Sequence, residues 1–404
     1  MKPFLPFLAA AIGSALSVFA QEDCTGGRYS TALFPNVTVT SDVLYGSAIG
    51  IEGTPVNLLV DVYTPDGDTE TNRPALILAH GGSFYQGSKT LDNAVVELCN
   101  RFAQMGYVTF SMNYRLESIV NIALSSDIEK TFLEAVFRAV QDQRTLIRFL
   151  EKSVAEGGNP YGINPNLILV GGNSAGAILS LHNAYLENDA EIPTKIDTSS
   201  LGGGFVGDHQ GYFARPKAVV NLCGALGDTS WMVSGNMPFV SVHGNNDAVV
   251  PHNSAIANPG IPVMLVHGSE SMNLRAMNVG VDNGFRLLPG AGHSPFNSSA
   301  AYMDTTFTYV RDWLANKLCT ENLSVTPTEV SNATPLLYPN PAAGSVQVKH
   351  PLNIVPTQVR VFDYQGRMVA APGMELSVQN LPAGVYIVEL QFGQETRRER
   401  LIVQ

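Results

Sequence analysis

Ser174 lies in Gly172-Asn173-Ser174-Ala175-Gly176, after the apolar run Leu167-Ile168-Leu169-Val170 and before a stretch with helical spacing. A serine on a tight strand-to-helix turn is a nucleophile for acyl transfer, because the turn holds its Oγ clear of the sheet. Glycines on both sides let helix and strand approach where a Cβ would clash. The helix that starts there turns its free N–H groups toward developing negative charge. Alone, the pentapeptide is a weak pattern, since small residues before helices are common. Three other stretches give it weight.

Pro74-Ala75-Leu76-Ile77-Leu78-Ala79 reads as a buried strand and ends in His80-Gly81-Gly82-Ser83-Phe84. Acyl transfer needs backbone N–H groups aimed at one point, and glycines permit that approach. Gly81 and Gly82 are assigned as oxyanion donors, with the Ala175 N–H completing the hole. Gly82 and Ser83 are the alternative pair, and a plain glycine-rich turn is the non-functional reading.

Downstream, Phe239-Val240-Ser241-Val242-His243-Gly244 reads as a strand running into Asn245-Asn246-Asp247. A carboxylate at that place would orient an imidazole and stabilise its protonated form. Asp228 and Asp282 are rivals without that setting. The strand-like Phe285–Pro289 is followed by Gly290-Ala291-Gly292-His293. A glycine loop with one histidine suits a base that reaches across to the serine. His80 reads as structural, His243 as a strand end, and His267 as a late imitation of the His-Gly motif. His182, His209, His252 and His350 take the ordinary surface or core reading.

A serine, a carboxylate and an imidazole so far apart in sequence need a scaffold that gathers loops at one rim. The chain alternates strand and helix patterns. Strand Ala75–Ala79 precedes a helix near Asp92–Met105, which Gly106 stops, and strand Tyr107–Met112 follows. Ser126-Asp127-Ile128-Glu129 reads as a capping box for a helix reaching about Val154. Then come the elbow strand, its helix to about Leu186, strands Lys217–Leu222, Phe239–Val242 and Arg286–Leu288, and helix Tyr302–Leu318. Such alternation implies a mostly parallel sheet flanked by helices. The early strand Val56–Tyr63 would pair antiparallel at an edge. Leu116–Ser125 and Glu187–Arg215 are candidates to border the substrate, or are surface loops.

With 404 residues the chain has room for one large domain and a small one. The net charge of -11, with no basic stripe, disfavours nucleic acid and anionic membrane as partners. Residues 1–20 read as a signal peptide cut before Gln21, with no transmembrane segment elsewhere. Export permits disulfides. The four cysteines are Cys24, Cys99, Cys223 and Cys319; Cys24–Cys319 and Cys24–Cys99 are both allowed. No Cys or His cluster has metal-ligand spacing, so no metal site is expected. Residues 320–336 have linker composition, and residues 337–404 read as a small all-β sandwich of short strands punctuated by glycine.

Residues 45–318 resemble the α/β-hydrolase carboxylesterase and lipase families. His80-Gly81-Gly82-Ser83-Phe84, Gly172-Asn173-Ser174-Ala175-Gly176, His243-Gly244-Asn245-Asn246-Asp247 and Gly292-His293 carry the likeness. Asn173 departs from it, standing where many such proteins have Asp. The resemblance implies cofactor-free hydrolysis of a small-molecule ester through an acyl-enzyme in a domain over 21–319. A serine peptidase of the same fold, or a hydrolase-fold binding protein, is the alternative. The tail is similar to the C-terminal sorting domains of the bacterial type IX secretion system. That likeness rests on Leu337-Tyr338-Pro339-Asn340-Pro341, Val361-Phe362-Asp363-Tyr364-Gln365-Gly366-Arg367 and Leu381-Pro382-Ala383-Gly384-Val385-Tyr386. It implies the secretion machinery as a partner, a secreted or cell-surface location, and removal of the tail.

Overall fold

Short apolar runs, buried on both faces, build the central sheet of the first unit. A computed structural model describes residues 24–187, 189–319, 337–338, 341–348, 358–363, 368–370, 375–392 and 395–404. The expected signal peptide and the linker at 320–336 lie outside them. Contacts divide the chain into two units, Met1–Val325 and Thr326–Gln404.

The first unit runs β1 (Val37–Ile49), β2 (Pro55–Pro65), β3 (Arg73–Ala79), α1 (Asn93–Ala103), β4 (Val108–Met112), α2 (Ile119–Leu124), α3 (Ile128–Ala155), β5 (Ile163–Asn173) and α4 (Ala175–Tyr185). It continues with β6 (Val219–Leu222), β7 (Ala225–Leu226), β8 (Phe239–Gly244), β9 (Ser254–Ile256), β10 (Leu265–Gly268), α5 (Ser269–Val279), β11 (Asn283–Leu288) and α6 (Ala300–Cys319). Eight strands form one sheet in the order β1-β2-β4-β3-β5-β6-β8-β11. From β4 to β11 every neighbour is parallel, while β2 pairs antiparallel with β1 and β4. Strand β3 shows why both faces need cover. Leu76 and Leu78 pack into the cluster with Leu98 and Phe102 of α1 and Phe307 and Val310 of α6. Ala75, Ile77 and Ala79 pack into the cluster with Phe137 and Leu146 of α3 and Leu179 of α4.

Several expectations change. Helix α3 is capped by Asp127, whose carboxylate accepts from Lys130 N at 3.0 Å, not by Ser126. The stretch Leu116–Ser125 contains α2, capped by Ser118. The glycine loop within Glu187–Arg215 turns away from the site. Gln141 Nε2 on α3 donates to Gly204 O at 2.8 Å, and the Arg144 guanidinium lies 3.6 Å over the Phe205 ring. Asp208 accepts from Ser47 N at 2.7 Å and His209 Nε2–H donates to Tyr45 O at 3.0 Å, which ties the loop to β1. Local pattern does not show this: Gln141, Arg144 and Arg148 of α3 are buried against that loop, and Arg138 and Asp142 are buried in ion pairs with Glu117 and Arg115. Helix α5 and the small sheet β7-β10-β9, between β6 and β11, carried no clear periodic signal.

Cys24 and Cys319 form a disulfide, with Cα atoms 5.8 Å apart, that joins the two ends of the first unit. Cys99 and Cys223 are free and buried. The second unit has two antiparallel sheets around one core. Strands β12 (Leu337–Tyr338), β13 (Ser345–Val348) and β16 (Glu375–Ser377) form one sheet. Strands β14 (Gln358–Phe362), β15 (Met368–Ala370), β17 (Gly384–Phe392) and β18 (Glu395–Val403) form the other. Val346 and Leu376 from the first sheet and Val361, Val388 and Leu401 from the second fill the space between.

Candidate active site

The C-terminal ends of β3, β5, β8 and β11 share one rim of the parallel sheet, where ligands of open α/β sheets are held. Ser174 stands there between β5 and α4 with φ 53° and ψ −115°, a strained backbone for a residue with a Cβ. Its amide donates to Leu222 O at 2.8 Å, which pins the turn to β6. The glycines around it are sterically required. A Cβ on Gly172 would lie 2.4 Å from Ala79 O, and one on Gly176 would lie 2.0 Å from the same atom.

His293, on the loop after β11, accepts the Ser174 Oγ hydrogen at Nε2 over 2.8 Å. Its Nδ1–H donates to Asp247 Oδ2 at 2.7 Å. Asp247 Oδ1 accepts from the Val249 and Val250 amides, both at 2.9 Å. Burial pushes this carboxyl up, but bonds from His243 and His293 outweigh it and hold the group well below the usual carboxylate range. The structure therefore brings Ser174, Asp247 and His293 together; Asp228 instead caps a short turn through Ser230 N.

His243 does more than end a strand. Its Nε2–H donates to Val250 O at 2.9 Å and lies 3.2 Å from Asp247 Oδ2. Its Nδ1 accepts from Ser269 Oγ at 2.8 Å, and that oxygen accepts from Asn221 Nδ2 at 3.0 Å. Cys223 completes a buried group with His243 and Asp247, their ligand-type atoms within 4.8 Å of one another. Burial pushes its thiol up to about 12, with Ser294 and Gly244 opposing through hydrogen bonds. His243 and Asp247 commit their polar atoms to hydrogen bonds, which accounts for this cluster without an ion.

The loop 80–88 is wound through four left-handed residues, Gly82 (φ 113°), Ser83 (φ 55°), Phe84 (φ 63°) and Gly87 (φ 100°). The His80 ring stacks on Tyr114 with centroids 4.3 Å apart, and its Nδ1–H donates to Gly81 O at 2.6 Å. Gly81 departs from its assigned role. Its single N–H donates to Asp92 Oδ2 at 2.8 Å, so it has no hydrogen left for a substrate. The Gly82, Ser83 and Ala175 amides have no recorded protein acceptor among the described residues. Asp92 was legible only as a helix start. No local signal in the chain pointed to its contact with Gly81.

Two cavities meet at Ser174. One, of about 20 Å³, is apolar and walled by Phe84, Phe132, Ile178, Val250 and Val263. The other, of about 630 Å³, is open and of mixed lining, with Gln86, Asp92, Asn173, His293 and Asn297 beside Leu91 and Val249 on its walls. None of the residues lining either cavity comes from 187–215.

Residues 60–225 match the BD-FAE family model, and residues 336–404 match the model of the Secretion system C-terminal sorting domain. The human protein Arylacetamide deacetylase-like 2 (Homo sapiens) is 29% identical over 151 residues, 36% of this chain and 33% of its own length. The chain thus spans about a third of that relative. Among solved structures, the chain is similar to Thermogutta terrifontis esterase 2 phosphorylated by paraoxon. There the TM-score is 0.47 and the identity 19%, over 70% of this chain and 95% of that one. The propionate-bound form of the same esterase gives 0.48 and 19%, over 72% and 97%. No helix among the described residues is long and apolar enough to cross a membrane.

Proposed function

We propose that this chain, an α/β-hydrolase of the esterase family with a C-terminal secretion sorting domain, is an exported serine carboxylic-ester hydrolase that works through an acyl-enzyme. The observation that carries the reading is one imidazole spanning 2.8 Å to the Ser174 hydroxyl and 2.7 Å to the Asp247 carboxylate. Ser174 Oγ attacks the ester carbonyl and passes its proton to His293 Nε2. The carbonyl oxygen takes up negative charge, and the amides of Gly82, Ser83 and Ala175, which have no protein acceptor among the described residues, are the donors assigned to it. The C–O bond to the alcohol breaks, and the alcohol leaves with the proton from His293. Water then gives a proton to the same nitrogen and attacks the acyl-enzyme; collapse returns that proton to Ser174 and frees the acid. Asp247 stays ionised throughout and holds the imidazole with Nε2 toward Ser174.

This reading divides the substrate between the two cavities. The small apolar cleft takes the acyl group and restricts it to a few carbons; the wide cleft, lined by polar and apolar groups alike, takes a larger alcohol. The sorting domain directs the protein to the cell surface or the medium, and loss of the tail after export is part of this proposal.

Ser174→Ala should lower kcat for a nitrophenyl acetate by about 10^4- to 10^6-fold while the folded spectrum is kept. It should also abolish labelling by a fluorophosphonate. Wild-type turnover in the variant would refute the nucleophile. An aminoacyl nitroanilide cleaved faster than the ester would favour a peptidase, and wild-type protein inert to ester and label alike would favour a binding module.

A further inference from the structure

Asp92 joins parts of the site that sequence keeps far apart. Its Oδ2 accepts from Gly81 N at 2.8 Å and from Asn173 Nδ2 at 2.9 Å. Its Oδ1 accepts from the Ala94 and Val95 amides at 3.2 and 3.3 Å, capping α1. Asn173 in turn accepts the Ser294 hydroxyl hydrogen at 2.6 Å. One chain of bonds therefore links the glycine loop, the residue before the nucleophile and the residue after His293. Lys89 nearby pairs with Asp42 and Asp61 instead, so amide donors and the start of α1 hold the Asp92 charge. The side chain is buried.

This explains the residue types. A carboxylate at position 92 has lone pairs enough for four donors, whereas a carboxamide would point N–H groups at donors. Asn at position 173 supplies a donor to Asp92 and an acceptor to Ser294 from one side chain. Asp at 173 would set a second carboxylate against Asp92.

We propose that Asp92 is a positioning residue for the reaction proposed above. It binds the Gly81 amide and fixes the loop so that the next amides, Gly82 and Ser83, face the carbonyl on Ser174. It touches no reacting atom and acts through the loop. The inference rests on the esterase reading for its kinetic consequence and on the hydrogen bonds for its structural one.

The test uses the oxidised full chain carrying Asp92→Ser, which keeps a helix cap but is too short to bridge Gly81 and Asn173. Asp92→Asn, equal in size, guards against a folding failure of the first variant. The expected result for both is a fall in kcat on nitrophenyl acetate of about 10- to 100-fold with KM little changed. Affinity for an aryl trifluoromethyl ketone, which forms a tetrahedral adduct, should weaken by the same factor, and amide hydrogen exchange across 80–88 should rise. A folded variant with wild-type kcat, ketone affinity and exchange would overturn the proposal. Equal losses in affinity for the ketone and for an unreactive alcohol analogue would also overturn it, since they mean general damage. If wild-type protein neither hydrolyses the ester nor labels at Ser174, the esterase reading fails, and exchange across 80–88 alone decides whether Asp92 holds the loop.

Discussion

Phe132 shows how one side chain can set substrate range. Its ring meets Phe84 edge to face, with centroids 5.7 Å apart, and together they close the small cleft beside Ser174. A cavity of about 20 Å³ holds only a short acyl chain. Phe132→Ala should therefore raise kcat/KM for a hexanoate ester over the acetate by about tenfold, in a series of nitrophenyl esters of rising chain length. An unchanged chain-length profile would move the acyl group to the other cleft. Gly82 makes the complementary case at the same scale. A Cβ there would lie 2.1 Å from Gln86 O, and φ is 113°, so only glycine allows that turn.

Helix α4 carries both the start of the site and an acid-sensitive position. His182 is fully buried; burial pushes its imidazole down to about 4 from the usual 6.5, against a hydrogen bond to Ile178 O. The unfolded chain therefore takes up this proton before the folded one does. Stability is full above pH 6.5 and is lost as pH falls toward 4, by at most about 3 kcal/mol from this group. Thermal midpoints measured between those pH values should drop for the wild type and flatten in His182→Leu. The elements around α4 were legible in the sequence where their signals are local: apolar runs in β3 and β5, glycine at the elbow, apolar spacing in α1 and α6. Helix α3 was legible as a helix but not as a buried one. Its polar residues bond carbonyls of a loop about sixty positions away, such as Gly204 from Gln141, and no local pattern encodes that partner.

At the scale of the molecule, the Cys24–Cys319 bond spans 295 residues and closes the first unit on itself. Cross-linking so long a stretch restricts the unfolded chain, and Cys24→Ser should cost about 2–5 kcal/mol in denaturant unfolding. A loss near zero would mean that the ends are held by packing alone. Every residue placed in the site lies in the unit ending at Val325. A chain cut after Val325 should hydrolyse esters within about twofold of the full protein, since a unit with its own core keeps its site. Activity lost on that cut would show that the tail contributes to the active form.

The sequence by itself determined the chemistry-bearing types and their order along a strand-helix alternation. Those features are local: a glycine where backbones nearly touch, a serine at a forced turn, a histidine on a glycine loop. Only the tertiary structure decided which cysteines pair, which loop borders the cleft, and which amide is already occupied. Gly81 and Gly82 look equivalent in the chain, yet one hydrogen is bound by Asp92 and the other is not. The physical reason is that a hydrogen bond depends on where a partner stands in space. Here the partners are 81 residues apart at Asn173 and Asp92 and 119 apart at His293 and Ser174, separations that only packing of the sheet and its helices brings within 3 Å.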